Sequence, residues 1–171
     1  MLTEYSNKLY DVLKHIDIEK FNSVFDLVKQ ASSIFVIGNG GSQSVAEHFC
    51  VDLIKFGNKK AYSISNTALL TMVANDYGYD KSFSWIINKY RQKDSLLFAM
   101  STSGNSNNIV QAILDDTNKS IFLTGLGGTA FREEAVCNLM VPSILPQIIE
   151  DAFSVICHTI TIMLKNGRAK I

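Results

Sequence analysis

The stretch Leu96-Leu97-Phe98-Ala99-Met100-Ser101-Thr102-Ser103-Gly104-Asn105-Ser106-Asn107-Asn108-Ile109 constrains the fold more than any other. It opens as a short continuous apolar run, the pattern of a strand buried on both faces of a parallel sheet. It then breaks into small hydroxyl residues around Gly104 and resumes as Ile109-Val110-Gln111-Ala112-Ile113-Leu114, with helical spacing. A strand that ends in a hydroxyl-rich turn opening a helix makes an anion site. Free backbone N–H groups and the positive end of the helix dipole face the ligand, and the hydroxyls of Ser101, Thr102, Ser103 and Ser106 add donors. The loop holds no Lys or Arg, so a phosphate there is held by neutral donors. A turn and N-cap without a ligand is the competing reading. Four hydroxyls among the six residues from Ser101 to Ser106 favour phosphate.

At 171 residues the chain is predicted to be one domain, 1–171, with helices over 1–30 and an α/β core over 31–171. A formal net charge of zero and a pI near 6.8 lack the electrostatic footprint of a nucleic-acid binder. Cys50, Cys137 and Cys157 are odd in number and sit in apolar contexts, which predicts reduced core thiols. Met1-Leu2-Thr3-Glu4-Tyr5 has no signal-peptide character, and no apolar run is expected to span a bilayer. A cytoplasmic protein with no membrane partner is the expectation.

Residues 3–30 read as helix in two pieces that part near Asp17. Ile34–Ile37 reads as a buried strand, residues 45–56 as helix, and Ala61–Ile64 as a second strand. A helical stretch ends near Asn75–Gly78, and another covers Ser82–Tyr90. After the central strand and its helix to Asp115 comes a strand at Ser120–Leu123. A turn at Gly125–Gly128, a short helix to Ala135 and a strand at Asn138–Val141 lead to a long apolar helix, Ile148–Leu164. That last helix is apolar around much of its circumference, so it is expected to be buried between subunits. Alternating strands and helices predict a parallel sheet covered on both faces, with ligands at the carboxyl ends of the strands. The turns at Asn39 and Ser101 would both open there. Gly38 and Gly40 fit the start of a dinucleotide fingerprint, but Gln43 stands at its third glycine and no acidic residue follows the second strand. No nucleotide cofactor is expected.

Five segments together carry a resemblance. They are Gly38-Asn39-Gly40-Gly41-Ser42, Ala46-x-His48-Phe49, Asn75-Asp76-x-Gly78, Ser101 to Ser106, and Leu123-Thr124-Gly125. In order and spacing they resemble the sugar isomerase (SIS) domain family, over about residues 34–164, and within it the phosphoheptose isomerase branch. The two Ser/Gly loops are shared across the family, whereas His48 and the His158 region point to this branch. The resemblance implies a flavodoxin-like three-layer α/β fold with a five-stranded parallel sheet behind N-terminal helices. It also implies a homotetramer whose sites draw on more than one subunit. Conversion of sedoheptulose 7-phosphate to D-glycero-D-manno-heptose 7-phosphate follows as the expected activity, in heptose supply for lipopolysaccharide or capsule. Family substrate contacts fall on Asn39, Gly40, Gly41, Ser42, Asn75, Asp76, Ser101, Thr102, Ser103, Ser106 and Glu150. The acid–base pair falls on Asp52 and His158, and a zinc site on His48, Asp52, Glu150 and His158.

Two positions depart from the family pattern: Asp52 replaces a glutamate and Glu150 a glutamine. Residues 143–147 also lack the family's polar run. Losing one methylene shortens the reach of a base by about 1 Å, a displacement that can lower a rate on the order of a hundredfold. From the residues alone, His48 and Asp52 stand one helical turn apart and share a face, which suits a divalent metal, a proton-transfer pair or a plain surface hydrogen bond. Glu150 and His158 lie eight residues apart, roughly 12 Å along a helix. His158 in its apolar helix also reads as a satisfied core residue, and His15 as a surface residue without a partner. Two non-catalytic alternatives stand beside the enzyme. One is a SIS module that binds a sugar phosphate and regulates a partner. The other is an interaction protein similar to the replication-initiator-associating homologue.

Overall fold

Two amphipathic helices open the chain, α1 (Leu2–Lys14) and α2 (Ile18–Gln30), and they part at Asp17 as the spacing predicts. The Asp17 carboxylate accepts from the N–H groups of Glu19 and Lys20, both at 3.0 Å. It thereby satisfies two of the donors that every helix leaves unpaired at its start. His15 is exposed as expected but has a partner, since its Nδ1 lies 2.7 Å from the Asp11 carbonyl. The computed structural model describes residues 1–116, 119–127 and 135–167.

Five strands follow: β1 (Ser33–Ile37), β2 (Lys60–Ser63), β3 (Ser95–Ser101), β4 (Lys119–Thr124) and β5 (Cys137–Met140). Every neighbouring pair is parallel and the order is β2-β1-β3-β4-β5. The chain steps outward from β1 to β2, then returns to the other side of β1 with β3. The strand order therefore reverses between β1 and β3, and the crevice beyond their carboxyl ends is where such a sheet receives a ligand. The connecting helices are α3 (Gly41–Lys55), α4 (Thr67–Tyr77), α5 (Ser82–Tyr90), α6 (Asn107–Leu114) and α7 (Pro146–Asn166), with a 3₁₀ turn at Tyr79–Lys81. The short helix expected between Gly128 and Ala135 falls largely outside the described residues.

Alternate strand residues sort into two cores. Ile34, Val36, Leu96, Phe98, Met100, Ile121, Leu123 and Leu139 face α1, α2, α3 and α7. Phe35, Ile37, Leu97, Ala99 and Phe122 face α4, α5 and α6. Both faces of β3 are therefore covered, and all seven of its residues are buried. Phe49 of α3 packs on Phe98 with ring centroids 5.0 Å apart, which fixes the helix over the sheet.

Helices α3 and α7 begin earlier than their apolar periodicity predicts. α3 starts at Gly41, where three glycines hide the helical signal. α7 starts at Pro146, whose fixed φ and missing N–H suit the first helical position. By length and composition α7 could cross a membrane, contrary to the sequence expectation: it has 21 residues and a best-window mean hydropathy of 1.3. Its apolarity is accounted for inside the chain, where Ile148, Ile149, Ala152, Phe153, Ile156, Cys157 and Ile160 are buried in the first core.

Candidate active site at the strand ends

Helix α3 carries His48 and Asp52 on one face, and α7 packs across it and brings His158 to the same point. Oδ2 of Asp52 lies 3.5 Å from His48 Nε2 and 3.6 Å from His158 Nε2. The two imidazoles meet edge to face with centroids 5.1 Å apart. The Asp52 side chain is only 12% exposed, against 62% for His48 and 49% for His158. A carboxylate so far withdrawn from water needs positive charge or strong donors beside it, and two imidazoles or a bound cation supply them. One ligand atom from each of these residues lies within 4.8 Å of the other two. Ligands around a tetrahedral zinc with bonds of about 2.1 Å stand about 3.4 Å apart, so the two nitrogen–oxygen distances suit such an ion. His158 is thus no satisfied core residue.

Glu150 does not join this trio. Its carboxylate lies against the start of α3, with Oε1 3.4 Å from Ser42 Oγ. A Cβ placed on Gly41 would sit 2.6 Å from Glu150 Cδ and Oε1 and closer still to Oε2. Glycine at 41 is what lets the carboxylate approach, and the charge then faces the positive end of the α3 dipole. The preceding turn is as tight, since a Cβ on Gly38 would meet the Ser42 carbonyl carbon and oxygen at 2.6 Å. Ser42 is buried there and Gly40 precedes α3 with φ +55°.

The Ser101 loop closes on itself. Ser101 Oγ lies 3.2 Å from Ser106 Oγ and 3.5 Å from Ser103 Oγ, and it accepts from the Gly104 N–H at 3.1 Å. Ser103 Oγ accepts from the Asn105 N–H at 3.2 Å. Ser106 is the N-cap residue of α6, yet its hydroxyl makes no capping bond. That argues against the turn-and-cap reading, because the hydroxyl points toward its serine neighbours instead of the helix amides. Thr102 accepts the Gly125 N–H on its carbonyl at 3.1 Å, which ties the β4 loop to the β3 loop. Asn75 and Asp76, at the exposed end of α4, hydrogen-bond to each other at 2.8 Å.

Sequence reasoning missed two residues here. Asn108, on the first turn of α6, pairs its amide with that of Asn39, and the Tyr79 hydroxyl donates to the same Asn39 oxygen at 3.0 Å. Asn next to a hydroxyl-rich helix start was the only available signal for Asn108. The thiols behave as predicted. Burial pushes Cys50 up to about 12, and it holds Cys157 well above the usual thiol range, with the nearby Cys50 and Asp52 charges adding to the effect. All three cysteines are free and buried.

A doubly covered parallel sheet with two small-residue loops beside its switch point defines the class: an α/β domain that takes a small ligand at the strand ends. The SIS domain signature matches residues 4–128, and the chain belongs to that family. It is similar to the phosphoheptose isomerase of Aliarcobacter butzleri, 33% identical over 159 residues, spanning 87% of this chain and 84% of that one. The phosphoheptose isomerase of Cytophaga hutchinsonii is also 33% identical, over 174 residues, spanning 96% and 88%. Among solved structures, phosphoheptose isomerase GmhA from Neisseria gonorrhoeae superposes with a TM-score of 0.87 at 26% identity, over 95% of this chain and 94% of that one.

Proposed function

We propose that this chain is an aldose–ketose isomerase that converts sedoheptulose 7-phosphate to D-glycero-D-manno-heptose 7-phosphate through an enediol. The observation that carries the reading is Asp52, a largely buried carboxylate held 3.5 and 3.6 Å from two imidazoles that reach solvent. The similar phosphoheptose isomerases support the same chemistry and the heptose substrate.

Isomerisation moves one proton between adjacent carbons and another between their oxygens. Asp52 takes the proton from one carbon and returns it to its neighbour, while His158 moves the proton between the oxygens; both groups suit the task near neutral pH. The Ser101, Thr102, Ser103 and Ser106 loop holds the phosphate and so orients the reacting end. Asn39, Gly40, Gly41, Ser42, Asn75, Asp76 and Glu150 complete the ligand contacts. Within one chain His48, Asp52 and His158 would hold a zinc ion, and Glu150 would join such an ion from a second subunit or by leaving the start of α3. Such an ion polarises a carbonyl when bound.

A homotetramer in the cytoplasm completes the proposal. Val51 and Ile54, each 57% exposed, flank Asp52 on α3, and Val155 stands exposed beside His158, so apolar surface surrounds the site where a second copy would cover it.

The test is turnover of sedoheptulose 7-phosphate, and of shorter ketose phosphates, with and without zinc. Asp52→Asn is expected to abolish turnover while calorimetry still detects sugar-phosphate binding, and Asp52→Glu is expected to retain activity. If the unmodified protein turns over none of them in any metal, and Asp52→Glu restores nothing, the chain is a binding module instead.

A further inference from the structure

The residue after Gly38 and the second residue of α6 face each other across the switch point. Asn39 Nδ2 donates to Asn108 Oδ1 at 2.8 Å, and Asn108 Nδ2 donates to Asn39 Oδ1 at 3.0 Å. Two outside donors complete the arrangement. The Ile109 backbone N–H donates to Asn108 Oδ1 at 3.0 Å, and the Tyr79 hydroxyl donates to Asn39 Oδ1, also at 3.0 Å.

The backbone donor decides how both amides are turned. A peptide N–H can only donate, so the side-chain atom of Asn108 that meets it must be oxygen. Asn39 must then offer its NH₂ to that oxygen and turn its own oxygen toward Asn108 Nδ2 and Tyr79. An amide oxygen has two lone pairs, and here both oxygens have two donors. Each NH₂ has one hydrogen engaged in the pair and one left over. The pair is therefore saturated as an acceptor and retains only donor capacity. Asn108 is buried, so the half-buried Asn39 is the member within reach of a ligand.

We propose that Asn108 is a positioning residue of the sugar-phosphate site: with Tyr79 it locks Asn39 as a hydrogen-bond donor, aimed at an oxygen of the sugar that carries lone pairs or developing negative charge. A carbonyl that becomes an enediolate oxygen is such an atom, and a donor fixed before the reaction stabilises it without reorganising. The inference rests on the isomerase reading for that oxygen's identity, but the lock itself does not.

The experiment is a double-mutant cycle with Asn108→Ala and Asn39→Ala, supported by Tyr79→Phe. Tyr79 is exposed, so its variant keeps the test alive should Asn108→Ala fail to fold. Asn108→Ala is expected to lower kcat on the order of tenfold to a hundredfold. KM should move less, because the serine loop still holds the phosphate. Tyr79→Phe should give a smaller loss in the same direction. Neither change should lower kcat further once Asn39 is alanine, whereas a merely structural role would weaken both backgrounds alike. NMR of the ligand-free protein reads the lock directly: one Asn39 side-chain hydrogen should exchange slowly, and that protection should vanish in Asn108→Ala.

If the unmodified protein turns over no sugar phosphate, the isomerase reading falls, and the affinity for sedoheptulose 7-phosphate takes the place of kcat in the same cycle. Equal losses in both backgrounds, an Asn39 amide that exchanges alike in both proteins, or absence of both turnover and binding would each overturn the inference.

Discussion

Gly41→Ala separates stability from function at the turn before α3. The new methyl would lie 2.6 Å from Glu150 Cδ and Oε1. Carbon contacts are comfortable at about 3.5 Å, so the carboxylate must retreat by about 1 Å. Retreat weakens its attraction to the positive end of α3, worth about 0.3–1 kcal/mol for a partly exposed group. The Ser42 hydroxyl at 3.4 Å adds little to that loss, because the bond is already long. In the opposite direction, alanine is a better helix former than glycine by up to about 1 kcal/mol. The two effects nearly offset, so urea denaturation should show a change below about 1 kcal/mol. Turnover has no such compensation. A shift of about 1 Å in the glycine turn or in Glu150 should lower it on the order of tenfold to a hundredfold. In a Glu150→Ala background the three atoms nearest the new methyl are gone, and Gly41→Ala should then stabilise by about 0.5–1 kcal/mol through the helix. The same stability change in both backgrounds, together with unimpaired turnover of Gly41→Ala, would refute the contact between Gly41 and Glu150.

Two further outcomes follow from burial. Cys50 and Cys157, with thiols raised well above their ordinary range by desolvation, should resist a thiol reagent at pH 8 in the native protein and react in denaturant; fast native labelling of either would contradict their burial. If the proposed homotetramer forms, Ile54→Asp should dissociate it in light scattering while leaving the fold intact, since Ile54 is 57% exposed within one chain; a monomer at micromolar concentration before any substitution would refute the tetramer. Ile156 is the wrong position for the same test, because it is buried within the chain's own core.

What could be read from the sequence, and what could not, follows the range of the interactions. The strand orders itself by local pattern: Leu96 to Met100 is apolar without interruption because both faces of β3 are covered, and the Ser101 loop announces itself by composition. His48 and Asp52 were legible as a pair because one helical turn fixes their common face. The arrival of His158 beside them depends on how α7 crosses α3, a packing no local spacing encodes. Asn39 and Asn108 stand 69 residues apart and meet only because β1 and β3 are neighbours, so their pairing was invisible. The start of α3 was hidden for a different reason, since glycine there is chosen for close approach at the expense of helix propensity.

Glu150 shows how one helix separates residues that the resemblance groups into a single site. Eight residues along an α-helix turn a side chain by about 80° beyond two full turns and move it about 12 Å along the axis. With His158 directed at Asp52, Glu150 on the same rigid helix is carried away from that point and toward the glycine turn. The extra negative charge it introduces in place of an amide is met there by the α3 dipole. The same geometry leaves Asp52 as the only carboxylate among the described residues that both imidazoles can reach, within 3.6 Å of each, so the proposed isomerase chemistry would rest on that one short side chain.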